Sequence, residues 1–191
     1  MRKKSGEARE NRHVRGRPGG SVRGNSLAEE DLVAKVREGS INFLLILDCV
    51  QDPHNLGAIL RTADGAGVQA VIVPKDKSAG ITDTVRRISV GAADSVPFVR
   101  VTNLSRAMKS LQEAGMWLVG TSDKAEKTLF ETDLKGSLGL VIGAEGDGLR
   151  RLTEESCDFL VKLPMLGKVP CLNASVATGI CLYEAVRQRM G

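Results

Sequence analysis

From Phe43 onward the chain alternates short, almost wholly apolar runs with stretches of helical periodicity, and this alternation restricts the possible folds more than any other feature. The runs are FLLIL at 43–47, AVIV at 70–73, PFVRV at 97–101, WLVG at 117–120, LGLVI at 138–142 and FLVKL at 159–163. Runs this apolar suit strands that are covered on both faces. Helix-compatible spacing occupies 56–66, 104–114, 149–157 and 176–189. Strands and helices in alternation predict an α/β fold, a largely parallel sheet flanked by helices. No internal repeat is visible.

The 191 residues suit one domain with a sizeable core. No apolar run approaches the roughly 20 residues that span a bilayer. The basic N-terminus is not followed by the apolar stretch of a secretory signal, so a cytoplasmic location is expected. Cys49, Cys157, Cys171 and Cys181 form no CxxC pair, and His13 and His54 stand far apart. Neither a disulfide framework nor a metal site is expected. The net charge of +4 is unevenly spread: residues 1–24 hold eight Lys/Arg and two Asp/Glu, the remainder 19 and 21. The division expected is a basic arm over 1–40 and an α/β domain over 41–191. Within the arm, residues 1–25 combine charge with Gly6, Gly16, Pro18, Gly19, Gly20 and Gly24, a composition expected to stay disordered. A short helix is expected over 27–36, with Ser26 as candidate N-cap and Gly39 as its stop. Such an arm either neutralises nucleic-acid phosphates without reading sequence or is simply solvated.

Ligands of doubly wound sheets bind beyond the carboxyl ends of the strands, so the loops after strands are the places to search. In DCVQDPHNLGAILR at 48–61, Asn55 is expected to cap a helix that carries Arg61 on a face with Ala58 and Gly65. Those small neighbours leave room for a ligand; an ordinary surface arginine is the plain alternative. In GAEGDG at 143–148 the glycines permit close backbone approach, and the charge of Glu145 suits a ribose hydroxyl or a cation better than a phosphate. A solvated glycine turn explains it equally well. In LPMLGKVPCLNAS at 163–175, Pro164 and Pro170 stiffen an extended stretch, and Asn173 and Ser175 stand at N-cap positions. Gly65, Gly67 and Ala70 fit GxGxxA, but after a helix and before a strand, the reverse of what a dinucleotide fold needs.

Together, NLGAILRTA at 55–63, LVIGAEGDGLRRL at 140–152 and LPMLGKVPCLNASVATGICLYEAVRQ at 163–188 resemble motifs one, two and three of the SpoU/TrmH family of SPOUT RNA 2′-O-methyltransferases. The similarity covers roughly residues 43 to 190. The wider wording, DPHNLGA, AGVQAVIVPKD and GAADSVP, is most similar to the branch that methylates a guanosine ribose in 23S rRNA. The transfer RNA branch is the alternative, and a cofactor-binding or RNA-binding module without turnover is a reading from another class.

The resemblance implies a homodimeric catalytic domain whose C-terminal segment is threaded as a deep trefoil knot, with RNA as substrate and no membrane or metal partner. It further implies S-adenosylmethionine as cofactor, bound in a bent form by Gly143, Leu163 and Leu172, with Thr121, Gly148 and Met165 nearby. Asn55, Arg61, Glu145, Asn173 and Ser175 match the catalytic polar positions. Arg61 matches the residue assigned as base; because arginine keeps its proton in proteins, stabilising the developing alkoxide is the other role open to it. Two departures stand out. Cys171 occupies the place where motif three usually has serine, a better hydrogen-bond partner. The ribosomal RNA branch also carries an N-terminal RNA-binding domain, and some 40 mostly polar residues cannot fold an equivalent. Either the basic arm takes its place, or the chain is a truncation.

Overall fold

The computed structural model describes residues 27–191. The expectations for the arm over 1–25 and for Ser26 lie outside the described residues. Six strands form one sheet: β1 (Phe43–Leu47), β2 (Ala70–Pro74), β3 (Phe98–Val101), β4 (Trp117–Thr121), β5 (Leu138–Ile142) and β6 (Phe159–Val161). Their spatial order is β3-β2-β1-β5-β4-β6, and every pairing is parallel. The central strands β1, β2 and β5 are buried at every position, which explains why they are apolar throughout rather than alternating.

Helices cover both faces. Leu56, Ile59, Leu60 and Ala63 of α2 (Pro53–Gly65) and Cys181, Leu182 and Ala185 of α7 (Ala174–Met190) pack on one side with Leu45, Leu47 and Leu140. The short helices α3 (Asp83–Ser89) and α4 (Ala92–Ser95) extend this layer through Val85, Ala92 and Ala93. On the other side, Leu32 and Val36 of α1 (Glu29–Arg37) and Met108 and Leu111 of α5 (Leu104–Glu113) meet Leu44, Ile46 and Leu118. A short α6 (Arg151–Glu155) leads into β6.

Several boundaries differ from expectation, each for a local reason. The first helix ends beside Gly39, whose φ of 76° is left-handed, as a stop at that residue requires. Asn55 is not the cap of α2. Asp52 is, its carboxylate accepting from the His54 amide at 2.9 Å, and Pro53 follows at the first helical position, where its fixed φ and missing N–H cost nothing. Asn55 therefore sits inside the first turn with its amide free for other partners. Ser175 likewise lies within α7, whose cap is Asn173. The helix expected over 149–157 shrinks to α6 because Arg150 is extended (ψ 148°) and donates its backbone N–H to the Asp48 carboxylate. The sixth strand stops at Val161, after which Lys162 pairs with the 127–128 segment. The helices α3 and α4 were not expected from the pattern.

β1 leads outward to β2 and β3 on one side, while β5 and β4 lie on the other. The order reverses between β1 and β5, and a crevice opens outside their carboxyl ends.

Candidate active site

Of four loops that leave the carboxyl ends of the strands, 122–124 after β4, 143–148 after β5 and 162–173 after β6 contribute residues to that crevice, and 48–52 after β1 is tied to the second of these through Asp48. The loop after β5 turns tightly, with Ala144 and Gly148 exchanging two backbone hydrogen bonds of 3.0 Å. Gly146 (φ 85°) and Gly148 (φ 68°) adopt left-handed conformations there. A Cβ on Gly143 would clash with the backbone of Gly148 and Leu149, so only glycine closes this turn.

A cleft of about 440 Å³ lies between the loops, a size suited to a small-molecule ligand. Gly143, Leu163, Leu172, Thr121, Gly148 and Met165 all line it. The structure thus gathers into one cavity six residues that are up to 51 positions apart in the chain. Sequence reasoning missed a further polar group on its wall. Ser122 donates to Glu154 at 2.6 Å, and the Lys124 ammonium lies 3.8 Å from the same carboxylate. Their signal was faint, since polar residues directly after a strand are ordinary. Four carboxylates, of Asp123, Glu145, Asp147 and Glu154, line the cleft against two lysines, Lys124 and Lys162, a balance that favours a cationic ligand.

Beside the cleft, Asn173 joins three chain segments. Its amide nitrogen donates to Asn55 Oδ1 at 2.9 Å and to Glu145 Oε2 at 3.0 Å. Its oxygen accepts from the Ser175 backbone N–H at 2.9 Å and from the Ser175 hydroxyl at 2.6 Å. These partners fix which end of the amide is nitrogen. Asn55 Nδ2 has only a long 3.5 Å contact to Glu145 and so retains donor capacity. Four of the five expected polar residues therefore form one cluster, with Glu145 and Asn173 exposed and Asn55 and Ser175 half-buried. Arg61 is not part of it: six positions along α2, it is exposed and makes no hydrogen bond or ion pair among the described residues.

A carboxylate hidden behind the cleft was also missed. Asp48 is fully buried and holds Arg150 by three contacts of 2.6–2.9 Å. Burial alone would raise its pKa, but hydrogen bonds from the Arg150 side chain and backbone outweigh that and leave it lowered. Cys171 lines the cleft with an exposed thiol. Cys181, in contrast, is buried against the sheet and its pKa is pushed up to about 12. Among the described residues, no group of three or more His, Cys, Asp or Glu is placed to hold a metal ion.

The sequence profile of the SpoU rRNA methylase family matches residues 42–183, most of the chain and all four loops. The chain belongs to this family. Relatives at high identity include the 23S rRNA (guanosine-2′-O-)-methyltransferases of Vibrio vulnificus and Escherichia coli. The first is 60% identical over 86% of this chain and 66% of its own length, the second 56% identical over 92% and 70%. The chain thus spans about two thirds of the length of these relatives. Among solved structures, the SpoU methyltransferase AviRb from Streptomyces viridochromogenes, in complex with the cofactor AdoMet, superposes with a TM-score of 0.72. It shares 34% identity over 78% of this chain and 62% of its own. The family is one of methyltransferases, and in the AviRb structure the cofactor is AdoMet.

Proposed function

We propose that this chain methylates the ribose 2′-oxygen of a guanosine in 23S rRNA. The observation that carries the reading is the meeting of the expected cofactor residues in one cleft, beside the Asn55–Glu145–Asn173–Ser175 cluster. The cleft fits S-adenosylmethionine in size and in its excess of carboxylates, which suits a sulfonium cation and ribose hydroxyls. When bound, the cofactor supplies an already activated methyl group, so positioning of the acceptor provides much of the rate.

The chain's own residues divide the remaining work. Gly143, Gly148, Leu163 and Leu172 shape the cavity, with Thr121 and Met165 at its wall. Asn173 holds Asn55 and Glu145 in register, and the spare amide donor of Asn55 is available to a ribose oxygen. The Ser175 hydroxyl, committed as a donor to Asn173, keeps its lone pairs to accept from RNA. Arg61 acts through its positive charge, stabilising the alkoxide as the hydroxyl loses its proton.

The same reading includes a deep trefoil knot in the C-terminal segment, supported by the pairing of Lys162 with residues 127–128 before the chain returns to α7. It includes a homodimer, supported by the exposed apolar stripe Val176, Ile180 and Tyr183 on α7. It also divides the chain into a basic arm over 1–40 and a catalytic domain over 41–191, acting in the cytoplasm. No helix among the described residues is long and apolar enough to cross a membrane.

The test is incubation of the purified protein with labelled S-adenosylmethionine and, in parallel, unmodified 23S rRNA or unmodified transfer RNA, followed by mapping of 2′-O-methylated nucleotides. Label at a guanosine ribose is the expected result. Label only in transfer RNA moves the assignment to that branch, and cofactor binding without transfer defeats the enzymatic reading.

A further inference from the structure

We infer that Asp48 and Arg150 form a positioning pair that holds the 143–148 loop closed around the cofactor and sets the spacing between Asn55 and Glu145. The inference rests on the reading of the cleft as the cofactor site. Neither residue lines the cleft, so neither touches a ligand there.

Asp48 stands at the junction of two strand ends. It follows β1 directly, and its backbone N–H donates to Ile142 O at 2.8 Å, the last residue of β5 before the loop begins. Its side chain grips the other end of the same loop. Oδ2 accepts from the Arg150 backbone N–H at 2.9 Å, while Oδ1 accepts from Arg150 Nε at 2.7 Å and Nη2 at 2.6 Å. One residue therefore fastens both stems of the turn that carries Gly143, Glu145 and Gly148. It is also the first residue of the loop leading to Asn55, and Cys49 after it is held at a left-handed φ of 63°. The pair thus joins the segment that delivers Asn55 to the segment that delivers Glu145, as the Asn173 bridge also does.

A carboxylate at 0% exposure is a poor choice if only bulk is needed, because leaving it unpaired costs heavily. Both guanidinium donors, Nε and Nη2, converge on Oδ1 while the backbone N–H takes Oδ2, which leaves the guanidinium little freedom of direction. Hydrogen bonding of this kind is how supporting residues keep a binding group in its working geometry. Because misplacement by about 1 Å can cost about a hundredfold in rate, loosening the loop reaches the chemistry without any lost ligand contact.

The test compares Asp48→Asn, Arg150→Lys and, as control, Arg151→Gln, which breaks only the exposed Arg151–Glu155 pair on α6. Cofactor KM and kcat are measured alongside backbone amide exchange at Ala144 and Gly148 and the midpoint of urea unfolding. Asp48→Asn is expected to raise the KM for S-adenosylmethionine about tenfold or more and to speed exchange at those two amides. Exchange in β2 should stay as in wild type. Arg150→Lys, which keeps the charge and loses the fork, should fall between, and the control should match wild type. Should Asp48→Asn fail to fold, Arg150→Lys carries the test. A folded variant with wild-type KM and wild-type exchange at Ala144 and Gly148 overturns the inference, as does exchange that quickens evenly across the sheet. If the wild-type protein binds no S-adenosylmethionine, the cofactor reading falls instead, and the exchange measurement still decides whether the pair closes the loop.

Discussion

Asn173 shows how one side chain can do several jobs at the residue scale. It caps α7, closes the contact between Asn55 and Glu145, and turns Ser175 so that its hydroxyl proton points inward. Arg61 stands apart, with no partner to orient it among the described residues. A charge left free in this way is available to the RNA and to the alkoxide that forms on it. Arg61→Ala is therefore expected to abolish methyl transfer while leaving S-adenosylmethionine affinity within a few-fold, read by single-turnover transfer beside equilibrium dialysis. Retained turnover removes Arg61 from the mechanism. The motifs that hold these residues were legible because three of them occur in order. Their arrangement was not: Asn55 looked like a cap because it precedes an apolar helix, and Pro53 with Asp52 had already taken that role.

Helix-on-helix packing governs the next scale. α2 carries both Asn55 and Arg61, and its position depends on α3 pressing against Gly57. A Cβ built there would meet Ile88 Cβ at 2.7 Å and the Val85 carbonyl at 3.2 Å. Gly57→Ala is expected to destabilise the protein by about 1–3 kcal/mol through overpacking, seen as a lower urea midpoint at unchanged slope. An unchanged midpoint means that α3 yields without cost. The strands were the most legible elements, since burial on both faces leaves five consecutive apolar residues at β1 and β5. α3 and α4, seven and four residues long, bury only two residues each and leave too little periodicity to detect.

At the scale of the whole molecule, three carboxylates whose pKa the fold lowers tie stability to pH, among them Glu131, which accepts hydrogen bonds from the Thr128 backbone and hydroxyl. Glu184 on α7 is held at about 2 against an ordinary 4.5, first by hydrogen bonds from Arg187 and then by Gln188. Asp48 is lowered as well, through Arg150. A depressed folded-state pKa contributes stability that is present above the unfolded value and is lost as pH falls. Thermal stability is thus expected to hold above about pH 5 and to decline as pH drops from about 4.5 toward 2, with Glu184→Gln flattening that decline. An equally steep decline in the variant assigns the effect elsewhere. The apolar stripe on α7 leads to a second expectation at this scale: Ile180→Asp turns the proposed dimer into a monomer, as measured by light scattering, and a dimeric variant places the contact on another face. The apolar runs by themselves determined that the chain forms a parallel sheet covered by helices, because the period of hydrophobic residues is a local property. Only the tertiary structure decided what meets at the carboxyl ends of the strands. Asn55 reaches Asn173 across 118 residues and Asp48 reaches Arg150 across 102, and hydrogen bonds closed over such distances leave no periodic trace in the intervening sequence.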